Sequence, residues 1–225
     1  MRKTDSQNPP AARHGDEEAS AWVRRWSHLL PAHAKVLDLA CGRGRHSRWF
    51  HALGHRILAL DRSPEALAAI GLPADRCETL LADIEGDPWP LAGRQFDAVV
   101  VTNYLWRPLL PELLDTIAPG GVLIYETFAA GNETVGKPSR PDFLLQPGEL
   151  LRVCRDLRTV AFEDGFEGGL ERELKGPLEA TSEANTSAAA PGGGRFVQRI
   201  AAVKELQARS GPDPDTRRPA RYKLG

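Results

Sequence analysis

The sequence predicts an α/β fold built on a doubly wound, mostly parallel β-sheet, and three observations carry that prediction. Short, continuous apolar runs recur between helical patterns, which is typical of parallel strands that are buried on both faces. The first run leads into a small-residue turn at 40–44 and then into a helical pattern. Aspartates stand at the ends of the first three runs: Asp38, Asp61 and Asp83. In a βαβ unit, such a turn is where bare backbone meets a ligand.

Seven strands are predicted along the chain. We expect them at 35–39, 56–60, 78–82, 96–102, 122–127, 158–162 and 195–204. The sequence Pro119-Gly120-Gly121 indicates a turn before the fifth strand. The last two strands are expected to pair antiparallel, because a Gly-, Ala- and Ser-rich segment, 165–194, joins them as a flexible insertion.

Helical patterns fill the intervals between the strands. The first begins at the acidic residues 16–18, shows apolar residues at spacings of three and four, and ends at Pro31. The other helices are predicted at 45–53, 64–69, 108–117 and 147–154. Ser63 is expected to cap the helix that starts at Pro64.

Length, charge and cysteine content narrow the class of protein. The chain has 225 residues, a net charge of −1 and three cysteines without CxxC spacing. This length suits one α/β domain, and the balanced charge offers no field for nucleic acid or an anionic membrane. We expect no metal site, because the cysteines lack the spacing of metal ligands. We expect a cytoplasmic protein, because there is neither a signal peptide nor a run of ~18 apolar residues. Its domain is predicted at 17–204, between a disordered arm, 1–16, and a disordered tail, 205–225.

The turn and the acid before it distinguish between two ligand classes. Gly42 and Gly44 permit backbone conformations and approach distances that a Cβ forbids. A dinucleotide site would have Gly or Ala where this chain has Ser47. Asp38 would repel a doubly negative pyrophosphate and attract a ligand that carries an ammonium and a sulfonium, such as S-adenosylmethionine. The structural alternative is that Asp38 caps the turn.

The other two strand-end acids suit the nucleoside part of that ligand. Asp61 can accept both hydroxyls of a ribose, and Arg62 beside it could meet a 2′-phosphate. Because the negative charge of Asp61 would repel a 2′-phosphate, we discount NADP as the ligand. Asp83 could accept the exocyclic amino group of adenine, while the Ile84 N–H donates to a ring nitrogen. A helix cap at Asp61 and an exposed loop acid at Asp83 are the structural alternatives.

At these residues the chain resembles the class I S-adenosylmethionine-dependent methyltransferases, in the group that includes small-molecule enzymes of the tellurite-resistance type. The resemblance covers residues 33–165 and rests on 36–44, Asp61, Asp83, 96–100 and 114–123. It implies a seven-stranded Rossmann-like sheet with an antiparallel last strand, and a turn that faces the methionine portion of the cofactor. One departure is Ala40, which stands where the family often has a glycine. The residues assigned to S-adenosyl-L-methionine are Asp38, Ala40, Cys41, Gly42, Gly44, Asp61, Arg62, Asp83, Ile84 and Asn103.

Candidate catalytic residues follow the fourth and fifth strands. Transfer of a methyl group from a sulfonium requires alignment, exclusion of water and sometimes removal of a proton, so no fixed catalytic residue is expected. Asn103 could orient a substrate, Tyr104 could form a wall beside the sulfonium, and Glu126 could act as a base or bind a cationic acceptor. His46 is expected to face solvent from the start of its helix. The segment 131–143 is predicted to cover the pocket.

The sequence therefore predicts a methyltransferase that acts on a small molecule, and three alternatives stay open. A nicotinamide-dependent oxidoreductase is opposed by Asp38 and by the missing third glycine. A non-catalytic regulatory protein that binds S-adenosylmethionine is excluded by no sequence feature. A tRNA- or protein-modifying methyltransferase is permitted by the basic residues near both termini, although no alternation of basic and aromatic residues supports it.

Overall fold

The computed structural model describes residues 18–168, 194–206 and 221–224. Within these ranges the strands form one seven-stranded sheet of order β3-β2-β1-β4-β5-β7-β6. The strands are β1 Lys35–Leu39, β2 Arg56–Asp61, β3 Cys77–Leu81, β4 Phe96–Thr102, β5 Ile117–Phe128, β6 Arg158–Glu167 and β7 Arg195–Val203. The strands β1 to β5 pair in parallel, and β7 is antiparallel to both of its neighbours. The predicted doubly wound sheet with an antiparallel last strand is confirmed.

Short helices connect the strands. They are α1 Ala21–Trp26, α2 Arg45–Ala52, α3 Pro64–Ala68, α4 Leu110–Asp115 and α5 Glu149–Val153. The prediction placed the start of α1 too early, because the cap is Ser20, whose Oγ accepts a hydrogen bond from the Val23 N–H. Ser63 caps α3 as predicted. No helix in the described ranges is long and apolar enough to cross a membrane.

Both faces of the sheet are covered by apolar side chains, which explains the continuous apolar runs of the sequence. Leu37 and Leu39 of β1 belong to one core cluster, with the side chains of α4 and α5. Val36, the residue before Leu37, belongs to the other cluster, with the side chains of α1 and α2. Because strand side chains alternate between faces, a strand buried on both sides needs apolar residues at almost every position.

The strand ends differ from the prediction at two places. The turn expected at 119–121 lies inside β5, where Ile117 pairs with Phe96 and the register then shifts before Val122 pairs with Ala98. A Cβ on Gly121 would lie 2.8 Å from the Ala118 carbonyl oxygen, so this irregular stretch requires glycine. The β6 strand continues to Glu167, so the first residues of the predicted insertion are strand.

The predicted arm, 1–16, and most of the predicted insertion and tail lie outside the described residues. Residues 205–206 and 221–224 of the tail are described, and 221–224 contact the domain. Tyr222 packs against the core cluster of α1 and α2, and the Lys223 carbonyl oxygen lies 2.8 Å from His28 Nε2. The prediction of a wholly disordered tail was therefore wrong for 221–224.

Candidate active site

A cavity of about 340 Å³ opens at the carboxyl ends of the parallel strands. This is the edge of an open α/β sheet at which ligands bind. The residues that line it are Ala40, Asp61, Arg62, Ala82, Asp83, Ile84, Glu85, Asn103, Tyr104, Leu105, Thr127, Phe128, Pro138 and Phe143. Seven of the residues assigned to the site from the sequence are therefore brought together: Ala40, Asp61, Arg62, Asp83, Ile84, Asn103 and Tyr104.

The turn after β1 depends on left-handed backbone conformations. Ala40, Gly42 and Gly44 have φ angles of 51°, 54° and 77°. A Cβ on Gly42 would meet no atom within 4 Å, so the space beside it is open to a ligand. A Cβ on Gly44 would lie 2.8 Å from Ile70 Cγ1, so this glycine is required for packing against the protein itself. The two glycines thus serve different purposes.

Asp61 both lines the cavity and holds the turn in place. Its Oδ2 accepts a hydrogen bond from the Gly42 N–H at 2.8 Å, and its Oδ1 accepts one from the Ser63 N–H at 2.9 Å. Each carboxylate oxygen can accept a second hydrogen bond, so these contacts leave acceptor sites for a ligand. Asp61 can therefore cap the local backbone, as the structural alternative has it, and still bind a ligand.

Asp38 does not line the cavity. Its side chain is buried on the α2 side of the sheet, where its Oδ2 accepts a hydrogen bond from the Ser47 hydroxyl at 2.6 Å. Burial raises the pKa of Asp38 to about 6. The geometry does not show the expected direct attraction between Asp38 and a cationic ligand. The position of Asp38 in β1 directs its side chain away from the cavity, behind the turn.

Cys41 is likewise placed for packing. It is buried, and burial raises the pKa of its thiol far above the usual range. A thiol that stays protonated is a poor nucleophile. The Cys41 N–H donates to the Leu60 carbonyl oxygen at 3.0 Å, which ties the turn to β2.

Asn103 and Tyr104 form the wall of the cavity after β4. Asn103 is exposed and left-handed, with a φ angle of 55°, and its N–H donates to the Glu126 carbonyl oxygen at 2.9 Å. The Tyr104 carbonyl oxygen accepts a hydrogen bond from the Tyr125 hydroxyl at 2.8 Å. The Tyr104 hydroxyl is itself buried, with no well-aligned hydrogen bond to the described residues.

Glu126 is not positioned as a base. Its side chain is 1% exposed, and its Oε2 lies 2.7 Å from Arg199 Nε, although that N–H is not directed at the oxygen. Arg195 lies 3.6 Å from its other oxygen. The geometry does not favour the predicted role of Glu126, because its carboxylate is paired with two arginines of β7 and does not line the cavity. An acid at the end of an apolar strand needs solvent or a partner, and here it has a partner.

His46 is buried, contrary to the prediction that it faces solvent. The Ser20 N–H donates to its Nε2 at 3.3 Å, so Nδ1 carries the proton and faces Thr102 Oγ1 at 3.4 Å. Burial lowers the pKa of His46 to about 3. The imidazole therefore joins the segment before α1 to the start of α2 and the end of β4, beside the turn.

This burial predicts a pH dependence of stability. Between about 6.5 and 3, the unfolded chain protonates His46 while the folded protein does not. Since the unfolded state binds more protons, the free energy of unfolding should fall as the pH is lowered through this range, by up to about 1.4 kcal/mol per pH unit. Urea unfolding of the wild type and His46→Gln at pH 7 and pH 5 measures the difference. The same loss on acidification in both proteins would contradict the assignment. Asp38 has the opposite pH dependence, but it is present in both proteins.

The sequence analysis missed several residues that line the cavity. Leu105 follows β4, and Thr127 and Phe128 are the last two residues of β5. As apolar or uncharged residues, they carry no chemical signature of their own. Pro138 and Phe143 belong to the segment predicted to cover the pocket. In that segment Asn132 is buried, and its side-chain amide donates to the Pro138 carbonyl oxygen at 2.9 Å.

Comparisons with known proteins identify similar methyltransferases. Residues 36–121 match the family model described as "Methyltransferase domain". The chain is 36% identical, over 104 residues, to the malonyl-[acyl-carrier protein] O-methyltransferase of Serratia marcescens, and 42% identical, over 55 residues, to the thiopurine S-methyltransferase of Xanthomonas campestris. The first match covers 44% of this chain and 40% of the relative, and the second covers 24% and 25%. The chain thus spans less than half the length of these relatives.

Solved structures share the fold over most of the chain. TehB from Haemophilus influenzae has a TM-score of 0.62 at 20% identity, and the match covers 86% of this chain and 63% of TehB. A methyltransferase structure from Bacillus halodurans has a TM-score of 0.61 at 14% identity, and the match covers 84% of this chain and all of that one. The matched segment, 36–121, contains the turn and all three strand-end aspartates, so the part of the chain that carries the candidate site is similar to a methyltransferase domain.

Proposed function

We propose that this chain binds S-adenosylmethionine in the cavity and transfers its methyl group to a small-molecule acceptor. The observation that carries the proposal is the juxtaposition, in one cavity, of two strand-end carboxylates and a turn with open space beside Gly42. Asp61 and Asp83 end neighbouring strands, since β2 pairs with β3. Both carboxylates therefore lie on the same side of the cavity, as two groups of one nucleoside require.

The residues present suit the three parts of the cofactor. Asp61 would accept the ribose hydroxyls with the lone pairs that Gly42 and Ser63 leave free. Asp83 would accept the adenine amino group, and the buried Ile84 offers an apolar surface to the ring. The methionine portion would lie against the turn at Gly42. S-adenosylmethionine supplies a methyl group on a sulfonium, which is transferred by in-line displacement.

The remaining residues of the cavity would bind and align the acceptor. Phe128, Pro138 and Phe143 make this end apolar, and the exposed Asn103 amide offers both a donor and an acceptor. The protein's task is to hold the acceptor atom in line with the methyl group and to exclude water. The acceptor would not be deprotonated by Glu126, which is paired with an arginine and does not line the cavity.

The proposal extends to the setting of the protein. The three cysteines are buried and free, which suits a reducing compartment such as the cytoplasm. We assign the domain to 17–204. The relatives act on carrier-bound malonyl groups and on thiopurines, so an acid or a thiol is a reasonable first choice of acceptor.

An acceptor screen tests the catalytic part of the proposal. The protein is incubated with S-adenosylmethionine and panels of carboxylic acids, thiols and phenols, and S-adenosylhomocysteine is quantified by mass spectrometry. Product formation above that of Asp61→Ala, with a matching mass increase of 14 Da on one acceptor, would support it. Tight cofactor binding without turnover on any panel would favour the regulatory alternative.

The segment 131–143 should respond to the ligand. Because Pro138 and Phe143 line the cavity, we expect slower amide hydrogen exchange in this segment when S-adenosylhomocysteine is bound. Exchange in β6, which lies at the far edge of the sheet, serves as the internal reference. Equal exchange of the segment with and without ligand would show that it is not a lid.

A further inference from the structure

Two separate pieces of chain face each other across the cavity. One is the stretch after β4, which contributes Asn103, Tyr104 and Leu105. The other is the segment before α5, which contributes Pro138 and Phe143. The two pieces belong to different loops, and the width of the cavity depends on how they are held together.

Arg107 is the residue that connects them. It lies two residues after Leu105, and its guanidinium binds the Glu149 carboxylate through two hydrogen bonds, Nε to Oε1 at 2.7 Å and Nη2 to Oε2 at 2.9 Å. The same guanidinium donates to the Asp142 carbonyl oxygen and to the Leu144 carbonyl oxygen, each at 2.8 Å. These two carbonyl groups flank Phe143.

The partner of Arg107 is also fixed. The Glu149 side chain is 12% exposed, and its Oε2 accepts a further hydrogen bond, from the Gln146 N–H at 2.7 Å. Burial acts to raise the pKa of Glu149, but the hydrogen bonds from Arg107 and Gln146 hold it below its usual value. The carboxylate therefore stays charged and keeps the guanidinium in one orientation.

We propose that Arg107 is a positioning residue that sets the spacing of the two cavity walls by clamping the backbone on both sides of Phe143. This inference rests on the proposed function, since it assigns the clamp to the same ligand cavity. A guanidinium is suited to the task because its planar, forked donors serve a carboxylate and two carbonyl groups at once. A lysine ammonium lacks that geometry.

The chain offers a matched control in Arg94. Arg94 also forms two hydrogen bonds to one carboxylate, that of Glu78, at 3.0 and 2.9 Å. Its side chain is 33% exposed, against 36% for Arg107. It lies just before β4, at the edge of the sheet opposite the cavity, and donates to no carbonyl group of the segment before α5.

The test compares the full-length wild type with Arg107→Gln, Arg107→Lys and Arg94→Gln. Amide hydrogen exchange is measured on the free proteins, and the affinity for S-adenosylhomocysteine is measured by calorimetry. We expect both Arg107 variants to exchange at least tenfold faster at 141–145, with unchanged exchange in β1 and β2, and to bind S-adenosylhomocysteine at least tenfold more weakly. Arg94→Gln should change neither quantity.

The outcomes separate the clamp from a general structural role. Unchanged exchange at 141–145 in Arg107→Gln, or full retention of affinity in Arg107→Lys, would overturn the proposal. Faster exchange throughout the protein would also overturn it, because Arg107 would then act on global stability. If the wild type does not bind S-adenosylhomocysteine, the proposed function fails, while the exchange of the free proteins still decides whether Arg107 holds the segment.

Discussion

Gly42→Val should abolish binding of S-adenosylmethionine while leaving a folded protein. The Cβ of residue 42 would project into space that contains no protein atom within 4 Å, so the branched side chain would occupy the place assigned to the ligand. The φ angle of 54° adds strain, since a β-branched residue in the left-handed region costs about 1–2 kcal/mol. We expect an affinity loss of at least ~1,000-fold, about 4 kcal/mol.

A second glycine separates the steric effect from the strain. Gly93 has a φ angle of 75°, and a Cβ there would also meet nothing within 4 Å, but it lies in the loop before β4, away from the cavity. Gly93→Val should therefore lower the melting temperature to a similar degree and leave calorimetric affinity for the cofactor intact. Equal affinity in Gly42→Val and Gly93→Val would remove the turn from the binding site.

Asp61→Ala should weaken binding of S-adenosylmethionine by about 1–3 kcal/mol for the lost charged hydrogen bonds to the ribose. The structure adds a second contribution, because the same substitution frees the N–H groups of Gly42 and Ser63. Asp61→Asn can keep one of these two contacts through its single acceptor oxygen, so it should lose less affinity than Asp61→Ala.

The control for Asp61 is Asp97. Its Oδ2 also accepts a backbone hydrogen bond, from the Lys35 N–H at 2.8 Å, but at the opposite edge of the sheet. Asp97→Ala should cost stability and leave the affinity unchanged. A folded Asp61→Ala protein that binds the cofactor as tightly as the wild type would refute the ribose assignment.

The strands could be predicted well from the sequence, because burial on both faces requires continuous runs of apolar residues. The limits of β1 and β4 agree with the structure residue for residue. The start of β5 was less accurate, because Gly120 and Gly121 suggested a turn where the strand contains a register shift. Local glycine content does not distinguish these two structures.

The candidate site was predicted where it depends on strand ends and missed where it depends on the direction of a side chain. Asp61 and Asp83 line the cavity, but Asp38 points to the other face of the sheet. Whether Glu126 is free to act as a base depends on Arg199, which lies beside it because β5 pairs with β7. A buried ion pair formed by residues this far apart in the chain leaves no local pattern.

The burial of His46 and the lining role of Phe143 have the same origin. Each depends on packing between distant segments: Ser20 against α2 in the first case, and the Arg107 contacts in the second. The prediction that 131–143 covers the pocket was possible from its loop character, whereas the way the neighbouring backbone is held required the structure.

The most direct measurement is a calorimetric titration of the full-length protein with S-adenosylmethionine, S-adenosylhomocysteine and NADH in parallel. We expect micromolar binding of the first two and none of NADH, because residues 36–121 match a methyltransferase domain and Ser47 stands where a dinucleotide site would have Gly or Ala. Binding of NADH alone, or of none of the three, would contradict the account and leave the turn at Gly42 without its assigned ligand.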